Sequence, residues 1–164
     1  MTTRYFTKTA SPVGELLLTG DGVSLTGLYW NDAVPPDGAV EDATPFAAVL
    51  AELAAYFAGD LTAFTVPVAP RGTPFQVKAW AALAGIPHGE TISYGEQARR
   101  LGVPNASRAV GAANGRNPVS IVVPCHRVIG GDGSLTGYGG GVERKKWLLD
   151  FEAQRSRAAI ASGS

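Results

Sequence analysis

The sequence predicts an α+β fold: a small N-terminal antiparallel sheet with one helix, then a mainly helical region carrying the reactive residues. Three observations predict it. The first thirty residues hold three short apolar runs cut by turn signals. Two Ser/Thr-x-x-Glu/Gln patterns, at 73–76 and 93–96, open helices further along. The single cysteine lies after a short apolar run and before a glycine-rich loop and a last helix. With 164 residues, 45 % apolar and 17 % charged, the chain can bury a core and is not globally disordered.

Taken in order, "RYFTKT", "ELLLTG" and "VSLTGLYW" read as strands, separated by "SPVG" and "GDG". "NDAVPPDGAVEDA" reads as a polar loop. A helix follows, with Thr44 at its cap, Pro45 at its first position and Gly59 as its stop. Its inward face is Phe46, Val49, Leu50, Leu53 and Phe57. "LTAFTVPVAPRG" reads as an extended linker between two layers. Thr73, Pro74 and Gln76 open a helix facing inward through Phe75, Ala79 and Leu83, with Trp80 beside them. Ser93 and Glu96 open another, closed by Gly102; small residues form a further one, stopped at Asn114–Gly115. The two helices at 93–101 and 105–114, joined by "GVP", read as a helix-turn-helix. Val119 to Val123 reads as a strand, "GGDGSLTGYGGG" as a loop, and "VERKKWLLDFEAQ" as a helix burying Trp147, Leu148 and Phe151. "SRAAIASGS" reads as a frayed tail. The organisation predicted is 1–70, 71–155 and a flexible 156–164.

Composition excludes several classes. No run of eighteen apolar residues suggests a membrane span, and "MTTRYFTKTA" has no signal core. One cysteine makes no internal disulfide, zinc finger or iron–sulfur cluster, and a free thiol suits a reducing cytoplasm. Neither G-x-G-x-x-G nor G-x-x-x-x-G-K-[ST] occurs, so no nucleotide cofactor is signalled. Net charge is zero but uneven. Residues 1–70 carry two bases against eight acids; residues 71–127 carry seven bases against two acids. A basic middle attracts phosphate.

Cys125 has His126 and Arg127 directly after it. A thiol reacts as thiolate, and nearby positive charge or a base promotes that form. A buried structural cysteine beside a surface histidine is the alternative. The "TGYGGG" loop offers close backbone approach to a ligand, or is simply a flexible hairpin. The second helix of the pair presents Ala106, Ala109, Ala112 and Ala113 with Gly111, and Arg108 as its one long cation. So small a surface lets a DNA backbone come near.

"SYGEQA", "RAVGAANGRNPV", "IVVPCHRVIG" and "LTGYGGG", in this order and spacing, closely resemble the O6-alkylguanine-DNA alkyltransferases. The resemblance runs from about Thr73 to Glu152, roughly half the chain. It implies a ribonuclease H-like N-terminal domain and a winged helix-turn-helix-like C-terminal domain carrying the active site. It implies a protein that flips O6-methylguanine, and also O4-methylthymine, out of double-stranded DNA and takes the alkyl group irreversibly onto Cys125. No cofactor takes part, and each molecule acts once. In the roles so implied, His126 draws the Cys125 proton through a water, Glu152 orients the imidazole, and Asn117 bridges the network. Tyr138 donates to the departing O6, with Lys145 behind it and the Gly139 backbone N–H alongside. Tyr94 contacts the flipped base or its phosphate, and backbone groups of Cys125 and Val128 hold the base edge. Arg108 enters the base stack, while Ala106, Ala109, Gly111, Ala112 and Arg116 meet the DNA. With no cysteine or histidine before His88, no metal is expected. The partner expected is DNA, bound by a protein monomeric in solution and able to cluster along it. Two rival readings remain at this stage. One is a Cys125–His126–Glu152 hydrolase; the other is a non-catalytic DNA binder.

Overall fold

The computed structural model of the protein describes residues 3–30, 33–135, 138 and 140–162, with backbone alone for 156–162. The chain divides into two compact units. One runs to Arg71 and takes in Pro118–Val122; the other takes Gly72–Asn117 and resumes at Val123.

In the first unit, β1 (Tyr5–Thr9), β2 (Leu16–Gly20) and β3 (Leu25–Trp30) form an antiparallel meander. A fourth strand, β4 (Val40–Glu41), pairs parallel to β1, giving the order β3-β2-β1-β4. The sheet is therefore mixed, not purely antiparallel, and β4 lies where the sequence suggests only loop. Both residues of β4 are exposed, so no burial pattern marks it; backbone bonds hold it, Val40 N–H to Arg4 O (2.8 Å) and Asp42 N–H to Phe6 O (3.0 Å). All five residues of β2 are buried.

The outer edge of β3 is covered by two later segments. Leu25 N–H donates to Pro67 O (2.9 Å) and Leu25 O accepts from Ala69 N–H (2.8 Å); Leu28 N–H donates to Pro118 O (2.8 Å). Covering an edge removes a template for unwanted pairing. The segment expected to be a linker is thus docked, and the Glu52 carboxylate anchors it further by accepting from Thr65 Oγ1 (2.8 Å) and Val66 N–H (2.9 Å).

A 3-10 turn, Thr44–Phe46, leads into α1 (Ala47–Ala58). Thr44 is not the cap. Ala43 holds the cap position without a side-chain bond, and just before it Asp42 Oδ1 accepts from Thr44 N–H at 2.9 Å. Gly59 closes α1 in the left-handed region at φ 85°. The buried face is Phe46, Val49, Leu53 and Tyr56, with Leu50 and Phe57 half-buried.

In the second unit, α2 (Pro74–Leu83) opens on a complete capping box: Gln76 N–H to Thr73 Oγ1 (3.2 Å) and Thr73 N–H to Gln76 Oε1 (3.0 Å). α3 (Tyr94–Arg100) is capped by Ser93, whose Oγ accepts from Glu96 N–H at 3.0 Å. Glu96 does not return the bond; its carboxylate pairs with Arg99 (2.5 Å) and Arg100 (3.2 Å). α4 (Ser107–Gly115) follows. Ala79, Ala98, Leu101, Val110 and Ala113 form the core of α2, α3 and α4. Two short strands, β5 (Ile92–Ser93) and β6 (Val128–Ile129), pair in parallel.

The strand expected over 119–123 is instead a turn. Val119 makes one bridge to Leu28, then Val122 N–H bonds Ser120 O at 2.8 Å and Ile121 takes φ 71°. The run is apolar because it is buried, not because it is extended: Val119 and Ile121 are almost fully enclosed. α5 (Val142–Ser162) continues as helix well past Ser156, where a frayed tail is expected. Ala158, Ala159 and Ala161 favour helix strongly enough to extend it.

Candidate active site

The site is built in the second unit from a one-turn 3-10 helix, Cys125–Arg127, and the buried stripe of α5. Pro124 precedes the turn and lacks an N–H, so a strand ladder cannot continue through it. The turn aims three consecutive side chains inward: Cys125, His126 and Arg127 are all buried. On α5 the stripe is Lys145, Leu148 and Glu152, at helical spacing. Trp147 and Phe151, expected inward, are half-buried and stack on each other with ring centres 5.1 Å apart.

The Cys125 sulfur accepts from Asn117 Nδ2 at 3.2 Å, and the same amide donates to Val123 O at 2.9 Å. Asn117 thereby ties the cysteine to the turn before it. Burial pushes the Cys125 thiol up to about 11, against the opposing pull of Asn117 and of the Lys145 charge. Adjacent charge was expected to lower it. The desolvation cost of a thiolate is larger here. Arg127, the nearest cation in sequence, has its guanidinium committed elsewhere.

That commitment organises the site. Glu152 accepts from Arg127 Nε (2.9 Å) and Nη2 (3.0 Å), and from His126 Nε2 (2.8 Å). Arg127 Nη1 donates to Ile86 O at 2.7 Å. Burial alone would raise the Glu152 carboxyl, but the bonds and charges of His126 and Arg127 outweigh it and hold the group well below the ordinary carboxylate range. Burial lowers His126 despite Glu152, so its ring is neutral. An ionised carboxylate only accepts, so His126 Nε2 carries the ring hydrogen and Nδ1 is the basic nitrogen. Nδ1 is buried and makes no hydrogen bond to the described residues.

Lys145 is 1 % exposed. Its Nζ donates to the Tyr94 hydroxyl at 3.3 Å and lies 5.5 Å from that ring's centre. Burial lowers its pKa, and a Cys125 thiolate, once formed, pulls it back up in part. Tyr138 is buried and Val128 fully so. Gly139 lies outside the described residues.

α4 brings Arg108, Ala109 and Ala112 to the exposed surface with Gly111 half-exposed, and of its two cap residues Arg116 is exposed and Ala106 half-exposed. Ala113, expected on that surface, is buried, and its carbonyl accepts from Trp80 Nε1 at 2.8 Å. A Cβ at Gly111 would meet the Tyr94 ring at 3.6 Å, an ordinary contact.

Three features escape the sequence reading. Arg127 as the partner of Glu152 is one; adjacency to Cys125 suggested a different task. The second is a buried amide pair between α3 and α4: Gln97 Nε2 to Asn114 Oδ1 (3.1 Å) and Asn114 Nδ2 to Gln97 Oε1 (2.7 Å). Asn114 in "NG" signals a helix stop, which masks its packing role. The third is His88, given no role from sequence, which lies within electrostatic reach of Glu152, Arg127 and His126. No group of three metal-ligating side chains occurs among the described residues, and no helix there is long and apolar enough to cross a membrane.

Comparison with known proteins gives consistent results. The family model for the 6-O-methylguanine DNA methyltransferase DNA-binding domain matches residues 74–154, and that for the ribonuclease-like domain of the same proteins matches 4–70. The chain is 50 % identical over 153 residues to the methylated-DNA--protein-cysteine methyltransferase of Mycolicibacterium paratuberculosis, covering 92 % of this chain and 93 % of that one. It is 48 % identical over 152 residues to the protein of that name from Methanosarcina acetivorans, covering 90 % and 97 %. Among solved structures it is similar to the Mycobacterium tuberculosis OGT in complex with DNA, with a TM-score of 0.88 and 50 % identity, over 92 % of this chain and 94 % of that one.

Proposed function

We propose that this chain, which belongs to the 6-O-methylguanine DNA methyltransferase family, repairs double-stranded DNA by moving the O6-methyl group of guanine onto its own Cys125. The observation that carries this reading is the Cys125–His126–Glu152 arrangement, with Asn117 on the sulfur and a basic His126 Nδ1.

With the thiol near 11 and His126 neutral, the resting cysteine is protonated. The thiolate forms only as the substrate arrives. The thiol proton passes to His126 Nδ1 through a water, and Glu152 stabilises the resulting imidazolium. The sulfur attacks the methyl carbon in line. The S–C bond forms as the C–O bond breaks, and the electron pair stays on the purine. The proton finally returns to the base, so thiol and O6-methylguanine become thioether and guanine. Tyr138 donates to O6 during that charge build-up. Lys145, through its charge and its bond to Tyr94, keeps the site positive. A thioether has no route back, so each molecule acts once. The same chemistry serves O4-methylthymine.

The base must leave the stack to reach a buried sulfur. Arg108, exposed on α4, enters the stack in its place, while Ala106, Ala109, Gly111 and Ala112 let the helix approach a groove about 6 Å wide. Arg116 meets a phosphate. Tyr94, Val128 and the Gly139 N–H hold the flipped base. We assign DNA binding and alkyl acceptance to 71–155. The chain acts as a monomer that can cluster along DNA, and its lone thiol suits the cytoplasm.

The test is intact mass after incubation with O6-methylguanine duplex. The expected result is a gain of one methyl per chain, stopping at one equivalent, with no gain in Cys125→Ala although the duplex still binds. Transfer persisting in that variant, or repeated turnover, would overturn the reading.

A further inference from the structure

The first unit is acidic, yet both of its arginines line one cavity. Residues 1–71 and 118–122 carry Arg4, Lys8 and Arg71 against eight acids. The cavity has a volume of about 440 Å³, within the range of small-molecule sites. Arg4 and Arg71 line it together with Thr19, Thr26, Asp21 and Tyr29. Among the described residues neither guanidinium is in an ion pair. Asp21 lies within electrostatic reach of Arg71, but its Oδ1 is occupied by the N–H groups of Val23 (2.9 Å) and Ser24 (2.7 Å). Two cations facing one carboxylate leave the cavity positive inside a negative unit.

The remaining walls supply a donor and a ring. Thr19 and Thr26 hydroxyls are 3.0 Å apart. One donates to the other, which leaves one hydroxyl hydrogen to offer. A Cβ added at Gly27 would run into the Tyr29 ring and stand 2.5 Å from Thr19 Oγ1. Glycine there lets the ring lie across the strand beside the two threonines. Burial raises the Tyr29 phenol, so it stays a donor at neutral pH.

We propose that this cavity binds a nucleotide phosphate, the phosphate held by Arg4 and Arg71 and the base laid against Tyr29. Guanidinium groups suit phosphate because they donate in a planar fork. No glycine-rich phosphate loop is present; side chains, not backbone N–H groups, make the contact. The ligand is either a free mononucleotide or one nucleotide of a DNA strand, which share this chemistry.

The full-length, isotope-labelled chain is titrated with dGMP, with a short single-stranded oligonucleotide and with inorganic phosphate, following amide and side-chain resonances. Saturable shifts at Arg4, Thr19, Thr26, Tyr29 and Arg71 are expected. Saturation by dGMP identifies the free nucleotide; saturation by the oligonucleotide alone identifies the strand. Arg4→Gln with Arg71→Gln should weaken binding at least tenfold. Tyr29→Ala should weaken the nucleotide several-fold and leave phosphate unchanged. Arg4→Gln and Tyr29→Ala, both outside 71–155, should keep methyl transfer to Cys125, which also reports that they fold; amide resonances unchanged away from the cavity report the same for the double variant. No shift at these residues with any ligand, or equal affinity in the double variant, overturns the proposal.

Discussion

The two units bury different chemistry. In the first, the enclosed side chains are leucines, valines, Ile121 and aromatics, and among the described residues its buried polar side chains are the hydroxyls of Thr7, Thr19 and Ser120. In the second, His126, Arg127, Lys145 and Glu152 are buried, and so is the mutually bonded amide pair Gln97 and Asn114. The first interior is held by transfer of apolar surface and by fit. The second has an apolar core as well, but its charged cluster persists only because each charge has a partner, and a lone member would be costly. Size decides what the first tolerates; partnership decides what the charged cluster of the second tolerates.

Glu152→Ala should separate the two most sharply. It strands Arg127 and His126 in the interior, a loss of about 3–5 kcal/mol, and it abolishes transfer; denaturant unfolding and intact mass read both. Glu152→Gln should cost less stability while still slowing transfer. Leu28→Ala, in the first unit, should cost about 2–5 kcal/mol through cavity formation. Its transfer per folded chain should match the parent, and its loss should not vary with pH. If Glu152→Ala proves as pH-independent as Leu28→Ala, the contrast fails.

Acid should weaken the second interior. His126 and Glu152 both have lowered pKa values when folded, so their stabilisation is complete above the unfolded values and is lost as pH falls. The decline should begin below the ordinary histidine 6.5 and steepen below the ordinary glutamate 4.5. Cys125 acts in the opposite direction: raised from 9.0 to about 11, it favours the fold below 9 and withdraws that support as pH climbs through 11. A thiol-reactive probe on the free protein should therefore show no rate step near 8.5, the usual cysteine value, and should accelerate towards pH 11. A step near 8.5 would mean that the sulfur is better solvated than its burial implies. The smallest effect belongs to Thr73→Ala, which removes one exposed cap bond of α2. It should cost about 1 kcal/mol, visible as a small drop in Tm with transfer intact.

What could be read from sequence follows from the same contrast. The three meander strands, both Thr73 bonds and the Gly59 stop are local, and neighbouring residues encode them. β4 escaped because two exposed residues paired only through backbone carry no side-chain pattern. The 119–123 run misled because a buried turn and a buried strand are equally apolar. On α5, period alone cannot place Lys145 and Glu152 inward, since charged residues face water unless a partner waits inside. That partner, Arg127, is 25 residues away in sequence. Cys125 and His126 stood out by type, but the high thiol pKa came from enclosure, which adjacency does not reveal.

Ile121 answers to two demands at once. It is β-branched, 1 % exposed and held at φ 71°, a torsion that costs such a residue about 1–3 kcal/mol. Glycine would relax the backbone but vacate the space. Alanine would vacate it and relieve only the strain that β-branching adds, and valine would keep the torsion while filling less. None of the three satisfies both demands, so a chain that relaxes this torsion with any of them must refill the space from a neighbouring position.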